Sequence, residues 1–199
     1  MDLLTEIEEY AEKYHVPIIN KLSSSTLIEI VKKKKPLRVL EIGTAIGYSA
    51  LLMSYYMPDS GKIITIEQDT ERLKMACNYI KRAGKEKEIQ LLAGDAADLL
   101  LDLTGPFDMV FIDAAKAQYL DYLCKIINKL SEGAVIVADN VLFRGMVMSE
   151  ERPLRRYKTI VKRLKEYLKF VTTNSNFSTK IYYEGDGVAI SYYQGANGN

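Results

Sequence analysis

The feature that most constrains this chain is a hydrophobic pattern that keeps changing its period. The runs "LRVLEIG" (37–43), "GKIITIE" (61–67), "EIQLLAG" (88–94), "FDMVFID" (107–113) and "GAVIVAD" (133–139) are short and nearly continuously apolar. Helical spacing fills the stretches 47–57, 69–83, 95–103 and 116–130 between them. Strands alternating with helices in this way imply right-handed crossovers and a parallel sheet covered on both faces. After a basic helical stretch, "TKIYYEGDGVAISYY" (179–193) reads as two strands joined by a tight turn at Gly185-Asp186-Gly187, which adds an antiparallel edge. The expected fold class is therefore α/β: a mostly parallel seven-stranded sheet with a C-terminal antiparallel hairpin and helices on both faces. Ahead of it, Leu3, Leu4, Ile7, Tyr10, Ala11 and Tyr14 mark a helix that Pro17 interrupts, and a second helix is expected from Ser23 to the lysine run 32–35, stopped by Pro36.

At 199 residues, 48% hydrophobic and 27% charged, the chain is expected to form a single domain. No apolar run approaches the ~18 residues of a membrane span. The acidic, amphipathic start "MDLLTEIEEYAEKYH" lacks the basic and apolar regions of a signal peptide, so a cytoplasmic location is expected. Cys77 and Cys124 lie in helical stretches with no CxxC spacing, and with one histidine they do not make a zinc site, so any metal would be a hard ion held by oxygen. The net charge of +1 hides an asymmetry: residues 151–170 carry eight Lys or Arg against two Glu, on a helix expected over 154–168 with Leu154, Tyr157, Val161, Leu164 and Leu168 on its core face.

In sheets of this type, ligands bind outside the carboxyl ends of the strands. Those ends here carry Glu41 and the turn Gly43-Thr44-Ala45-Ile46-Gly47, then Glu67, Gly94-Asp95-Ala96, Asp113, and Asp139-Asn140. A glycine turn after the first strand with an acid ending the second is how nucleotide-type cofactors are gripped, the acid taking ribose hydroxyls. The turn is GxxxG, without the middle glycine that lets a pyrophosphate approach. A cofactor with ribose and no phosphate fits better, and S-adenosylmethionine is the common one.

"VLEIGTAIGYSAL" (39–51), "FIDAAKAQY" (111–119) and "VADNVLFRG" (137–145) together resemble the cofactor, catalytic and metal motifs of the class I, metal-dependent O-methyltransferases, the group of the catechol and caffeoyl-coenzyme A enzymes. The resemblance runs from about Val16 to the terminal hairpin. It implies a Rossmann-like methyltransferase domain over 1–199, whose N-terminal helices within 1–35 cover the cofactor and substrate site. It also implies that Glu41, Gly43 and Ser49 line the methionine end of the cofactor, that Glu67 binds the ribose, and that Ala96 meets the adenine through its backbone. Ile19 and Asp113 complete the implied cofactor set. Homodimers are the expectation carried over from the group.

Asp113, Asp139 and Asn140 would then supply three oxygen ligands to Mg²⁺ or Mn²⁺. Each also has a plainer reading, Asp113 as a helix N-cap and Asp139-Asn140 as a turn. Lys116, one helical turn past Asp113, matches the family's catalytic lysine. Beside a divalent cation and a sulfonium its pKa is expected to fall towards that of a useful general base; the plainer reading is a solvated lysine. The expected reaction is chelation of two adjacent substrate oxygens, proton loss to Lys116 and attack on the sulfonium methyl. The glutamate that the catechol enzymes place after the hairpin's "DG" is Ala189 here, Ala114 and Ala115 follow Asp113, there is no Trp, and Arg144 stands four residues past Asn140 as a candidate substrate contact. With the basic 151–170 segment, "DNVLFRG" is similar to the bacterial tRNA 5-hydroxyuridine methyltransferases. Methylation of that hydroxyl in the tRNA anticodon loop is accordingly the leading expectation, small catechols or other vicinal diphenols the alternative, and a cofactor-binding protein without catalysis the third.

Overall fold

Asn20 decides where the second helix starts. Its Oδ1 accepts the backbone N–H groups of Leu22 and Ser23, both at 3.0 Å, so helix α2 runs Lys21–Lys34, two residues ahead of the Ser23 start that hydrophobic spacing indicated. The computed structural model describes residues 2–195, and these divide into two compact units, one ending at Asp98 and one beginning at Leu99.

The first unit contains α1 (Leu3–Tyr14), α2, β1 (Arg38–Ile42), α3 (Tyr48–Tyr56), β2 (Lys62–Glu67), α4 (Thr70–Arg82) and β3 (Ile89–Ala93). β2 pairs in parallel with β1 and with β3, with Glu41 opposite Thr65 and Glu67 opposite Ala93. Val39, Leu40 and Ile42 are fully buried, as a strand covered on both faces requires. Leu91 and Leu92 of β3 are only half-buried, because that strand is the outermost of the unit. Asp69 caps α4 by accepting from the N–H groups of Glu71 and Arg72. Helix α1 is tied down by polar contacts: Arg82 donates to both carboxylate oxygens of Glu6, and the Tyr48 hydroxyl donates to Glu8. The hydrogen bond from Arg82 holds the Glu6 carboxyl below its ordinary range.

The second unit contains most of α5 (Ala96–Asp102), β4 (Phe107–Ile112), α6 (Tyr119–Ile126), β5 (Leu130–Asp139), α7 (Lys158–Thr173), β6 (Phe177–Tyr182) and β7 (Val188–Tyr193). β4 and β5 pair in parallel, with a register shift between Phe107 opposite Leu130 and Met109 opposite Val135. β7 lies antiparallel between β5 and β6, which leaves β6 outermost. The strand order is β3-β2-β1 in the first unit and β4-β5-β7-β6 in the second, seven strands that are mostly parallel with a C-terminal antiparallel pair, as the alternation required.

Four further boundaries differ from the sequence reading. The stretch 116–130 is not one helix: single 3₁₀ turns, Lys116–Gln118 and Ile127–Lys129, flank α6. β5 begins three residues before Gly133, because the shifted pairing with Phe107 extends the ladder through exposed Glu132. The hairpin connection spans 183–187 instead of the three residues Gly185-Asp186-Gly187 alone, and Gly187 sits at φ +75° where a Cβ would run into the Leu142 side chain. Leu154, counted as a core position of the basic helix, is 60% exposed in extended backbone. A 3₁₀ turn at Arg155–Tyr157 carries the chain into α7, whose buried face is Val161, Leu164, Tyr167, Leu168 and Val171. No helix among the described residues is long and apolar enough to cross a membrane.

Asn20→Ala removes the acceptor for two helix N–H groups and is expected to cost about 1 kcal/mol. Thermal unfolding should show Tm lower by roughly 2–4 °C, with Asn20→Asp close to wild type.

Candidate active site

In the first unit, the chain leaves β1 through backbone that most residues avoid. Gly43 has φ 101°, Ala45 47° and Gly47 91°. The N–H groups of Gly43 and Thr44 both donate to the Ile66 carbonyl at 3.1 Å, which folds the turn onto the end of β2. At Gly47 a Cβ would come within 3.3 Å of the Ala76 Cα on α4, so the turn and that helix approach closely. Glu67 braces the same turn: one carboxylate oxygen accepts the Ala45 N–H at 2.8 Å and the other the Asp69 N–H at 2.9 Å. Each oxygen retains a further lone pair for a ribose hydroxyl.

The structure places Ser49 buried in the first turn of α3, Ile19 buried between α1 and α2, and Ala96 buried at the start of α5. Gly94, just before Ala96, donates to the Glu67 carbonyl at 3.0 Å, so the ends of β2 and β3 are joined beside the glycine turn. Glu41 is fully buried and accepts from the Thr65 hydroxyl, whose oxygen is also 2.5 Å from that of Thr44. Glu41 is therefore held within the sheet beneath the turn. Thr65 and Thr44, which the sequence reading did not single out, support Glu41 there, and Thr65 stands opposite it in the strand register.

In the second unit, Asp113 follows the last residue of β4, and Lys116 lies on the 3₁₀ turn that comes next. Lys116 Nζ is 3.4 Å from Asp113 Oδ1, with both side chains about four-fifths buried. The N-cap of that 3₁₀ turn is Ala115, with no side-chain cap, so the capping role considered for Asp113 is not used there. Asp139 ends β5 at 1% exposure, and its Oδ1 accepts the Asn140 N–H at 2.8 Å, a bond to the adjacent residue and not the two-residue reach of an Asx turn. Asn140 is left-handed at φ 54°, and the next residues are clamped to the hairpin loop, Val141 N–H to the Gly187 carbonyl at 3.0 Å and Leu142 N–H to that of Asp186 at 2.8 Å. Among the described residues no group of three His, Cys, Asp or Glu side chains is placed to hold a metal. The candidate set is two carboxylates and one amide, and this all-oxygen chemistry fits a hard divalent ion.

Tyr119, three residues past Lys116, went unnoticed in the sequence. It is fully buried, and its hydroxyl donates to the Asp139 carbonyl at 3.0 Å. Burial, with Asp113 and Asp139 adding to it, pushes the phenol well above its ordinary range, so it stays a donor. Its ring meets Tyr167 edge-on at 5.7 Å, and the buried Tyr167 hydroxyl makes no hydrogen bond among the described residues. Arg144 is exposed at φ 58°, with its N–H on Asp186 Oδ1 at 3.0 Å and Nη1 donating to the Tyr157 hydroxyl at 3.3 Å. Ala189 is buried opposite Ala138 and offers only a methyl group. Tyr119→Phe strands a buried carbonyl and is expected to cost about 1–3 kcal/mol in denaturant unfolding, whereas Tyr167→Phe should be neutral within about 0.5 kcal/mol.

A family model described as O-methyltransferase matches residues 5–191. A catechol O-methyltransferase of Niastella koreensis is 40% identical over 116 residues, 56% of this chain and 52% of that protein, so the chain spans about half the length of that relative. A flavonoid 3',5'-methyltransferase of Vitis vinifera is 31% identical over 193 residues, 93% of this chain and 81% of the other. The O-methyltransferase TomG of Streptomyces achromogenes, involved in tomaymycin synthesis and solved in complex with SAM, matches with a TM-score of 0.86 at 26% identity, covering 98% of this chain and 91% of its own. With the glycine turn, the acid ending β2 and a family match running through both units, the chain belongs to the O-methyltransferase family.

Proposed function

We propose that the protein transfers the methyl group of S-adenosylmethionine to one oxygen of a small vicinal diphenol, with a divalent ion at Asp113, Asp139 and Asn140. The observation that carries this reading is the cluster of two acids and an amide at the ends of β4 and β5, with Lys116 Nζ 3.4 Å from one of the acids. The family match crosses both units, which supports reading the chain as one methyltransferase domain. The tie between Tyr48, first residue of α3, and Glu8 supports α1 as a wall of the cofactor site.

S-adenosylmethionine, when bound, supplies an electrophilic methyl group, and a divalent ion supplies Lewis acidity that makes a chelated hydroxyl easier to ionise. Glu67 would orient the ribose while bracing the turn, and Glu41, from beneath, would keep that turn in place. Lys116 would accept the hydroxyl proton at Nζ. Asp113 would both hold Nζ and offer an oxygen to the metal. Tyr119 keeps the Asp139 carbonyl fixed, so Asn140 enters its left-handed conformation at a defined place.

The relatives named as catechol and flavonoid enzymes favour the diphenol over the tRNA reading that the basic segment raised. One observation keeps the second reading in play: Lys158, Lys162, Lys165 and Lys169 are exposed at helical spacing along α7. A stripe of that kind would follow a phosphate backbone, and binding through it would fall steeply with salt.

Labelled S-adenosylmethionine offered with catechols, and separately with unmethylated tRNA, distinguishes the two; transfer to catechols is the expected result. Excess chelator should abolish transfer and Mg²⁺ or Mn²⁺ restore it, and full activity in chelator would overturn the metal assignment. Lys116→Ala should lower kcat by about 10²-fold or more, with cofactor affinity unchanged in a calorimetric titration.

A further inference from the structure

Tyr157 carries two cations on one ring. The Arg156 guanidinium lies 4.6 Å from the ring centroid and that of Arg144 5.8 Å. Arg144 is also 6.0 Å from the Phe143 ring, and the Phe143 and Tyr157 rings meet edge-on at 5.3 Å. Among the described residues neither arginine is in a salt bridge with a carboxylate. Asp186 is engaged through the Arg144 backbone N–H, which fixes the start of the side chain without neutralising its end. Two like charges brought onto one phenol repel each other, and an exposed guanidinium gains only about 0.5–1 kcal/mol from such a ring contact. An anion at the ring's edge within reach of both would turn that repulsion into charge-assisted contacts, and guanidinium forks match carboxylate and phosphate geometry.

The placement in the chain ties this pair to the reaction. Asn140 accepts the Phe143 N–H at 3.1 Å, closing a turn, and Arg144 follows directly. Arg144 therefore begins one turn past a proposed metal ligand, clamped to the same hairpin loop that holds Val141 and Leu142. Its guanidinium is held by two rings and a phenol oxygen instead of sweeping through solvent, so little side-chain freedom remains to be lost on binding.

Resting on the diphenol reading above, we infer that Arg144 and Arg156, both held at the Tyr157 ring, form a subsite for an anionic group on the substrate, so that the preferred acceptor is a vicinal diphenol bearing a carboxylate or phosphate-like substituent. The two hydroxyls go to the reacting end and the anion to the arginine pair. Neutral diphenols of the same size are then the poorer substrates.

The test compares kcat/KM for 3,4-dihydroxybenzoate, 3,4-dihydroxybenzylphosphonate and neutral 4-methylcatechol. Wild type should favour an anionic substrate by about tenfold, mainly through KM, and the preference should shrink as salt is raised. The better of the two anions identifies carboxylate or phosphate as the group taken. Arg144→Gln and Arg156→Gln should each lower the ratio several-fold and the double variant should bring it to about one. Arg155→Gln, an exposed neighbour with no part in the ring contacts, should keep the wild-type ratio. Methylation of 4-methylcatechol with no anionic preference, or a preference intact in the double variant, overturns the inference and leaves the diphenol reading standing. Failure to methylate any diphenol overturns both.

Discussion

A carboxylate taken out of water must be met by donors where it lies, and the strand ends of this chain depend on how that requirement is satisfied. Glu41 on β1 and Asp139 on β5 are both essentially without solvent exposure. Each is answered locally and differently. Glu41 receives the hydroxyl of Thr65, its register partner on β2, which in turn touches Thr44 in the glycine turn. Asp139 receives the N–H of Asn140, and its carbonyl receives the phenol of Tyr119. In both places the group that neutralises the cost also sets the direction in which the chain leaves the strand. Burial and positioning are thus one event, and the loops that follow inherit their geometry from it.

That dependence explains which parts of the molecule were legible in the sequence. Hydrophobic period distinguishes strand from helix whatever the tertiary context, so the alternation and the strand ends could be read directly. The residues at those ends stood out because an acid or a glycine interrupts an apolar run. Thr65 and Tyr119 gave no such signal: a β-branched residue in a strand and an aromatic at a core position look like packing, and only the partner of the hydroxyl shows otherwise. Leu154 failed for the opposite reason. Its spacing from Tyr157 and Val161 fits a helix face, but spacing carries no information about the 3₁₀ turn that leaves it extended and exposed. The early start of β5 has the same origin, since a register shift is a property of the pair of strands and not of either alone.

The structure also narrows plain alternatives that composition left open. Asp113 as a helix cap required a helix to cap, and the 3₁₀ turn after it begins at Lys116 with Ala115 as its N-cap and no side-chain acceptor. What Asp113 does have beside it is the Lys116 Nζ. Asn140 in left-handed backbone is tolerated because asparagine pays least among residues with a Cβ for that conformation. An ordinary turn would use the same preference, but here the turn is further fastened to the hairpin loop on both sides of Leu142, which fixes it more firmly than a solvent-exposed bend requires.

Charge in the segment 151–170 then divides into two kinds. The lysines of α7 are solvated, and Lys162 and Arg163 already share Glu166 at 3.9 and 3.0 Å, so part of that field is spent within the helix. Such charges raise the local concentration of any anion without choosing among them. Arg144 and Arg156 differ in being stacked on a ring that orients them. Orientation is what discrimination requires, because a fixed guanidinium rewards an anion in one place and leaves a neutral group unrewarded. The basic character of this region is therefore better read as two layers, a diffuse field along α7 and a directed pair at Tyr157, and only the second has the geometry to select one anion over another.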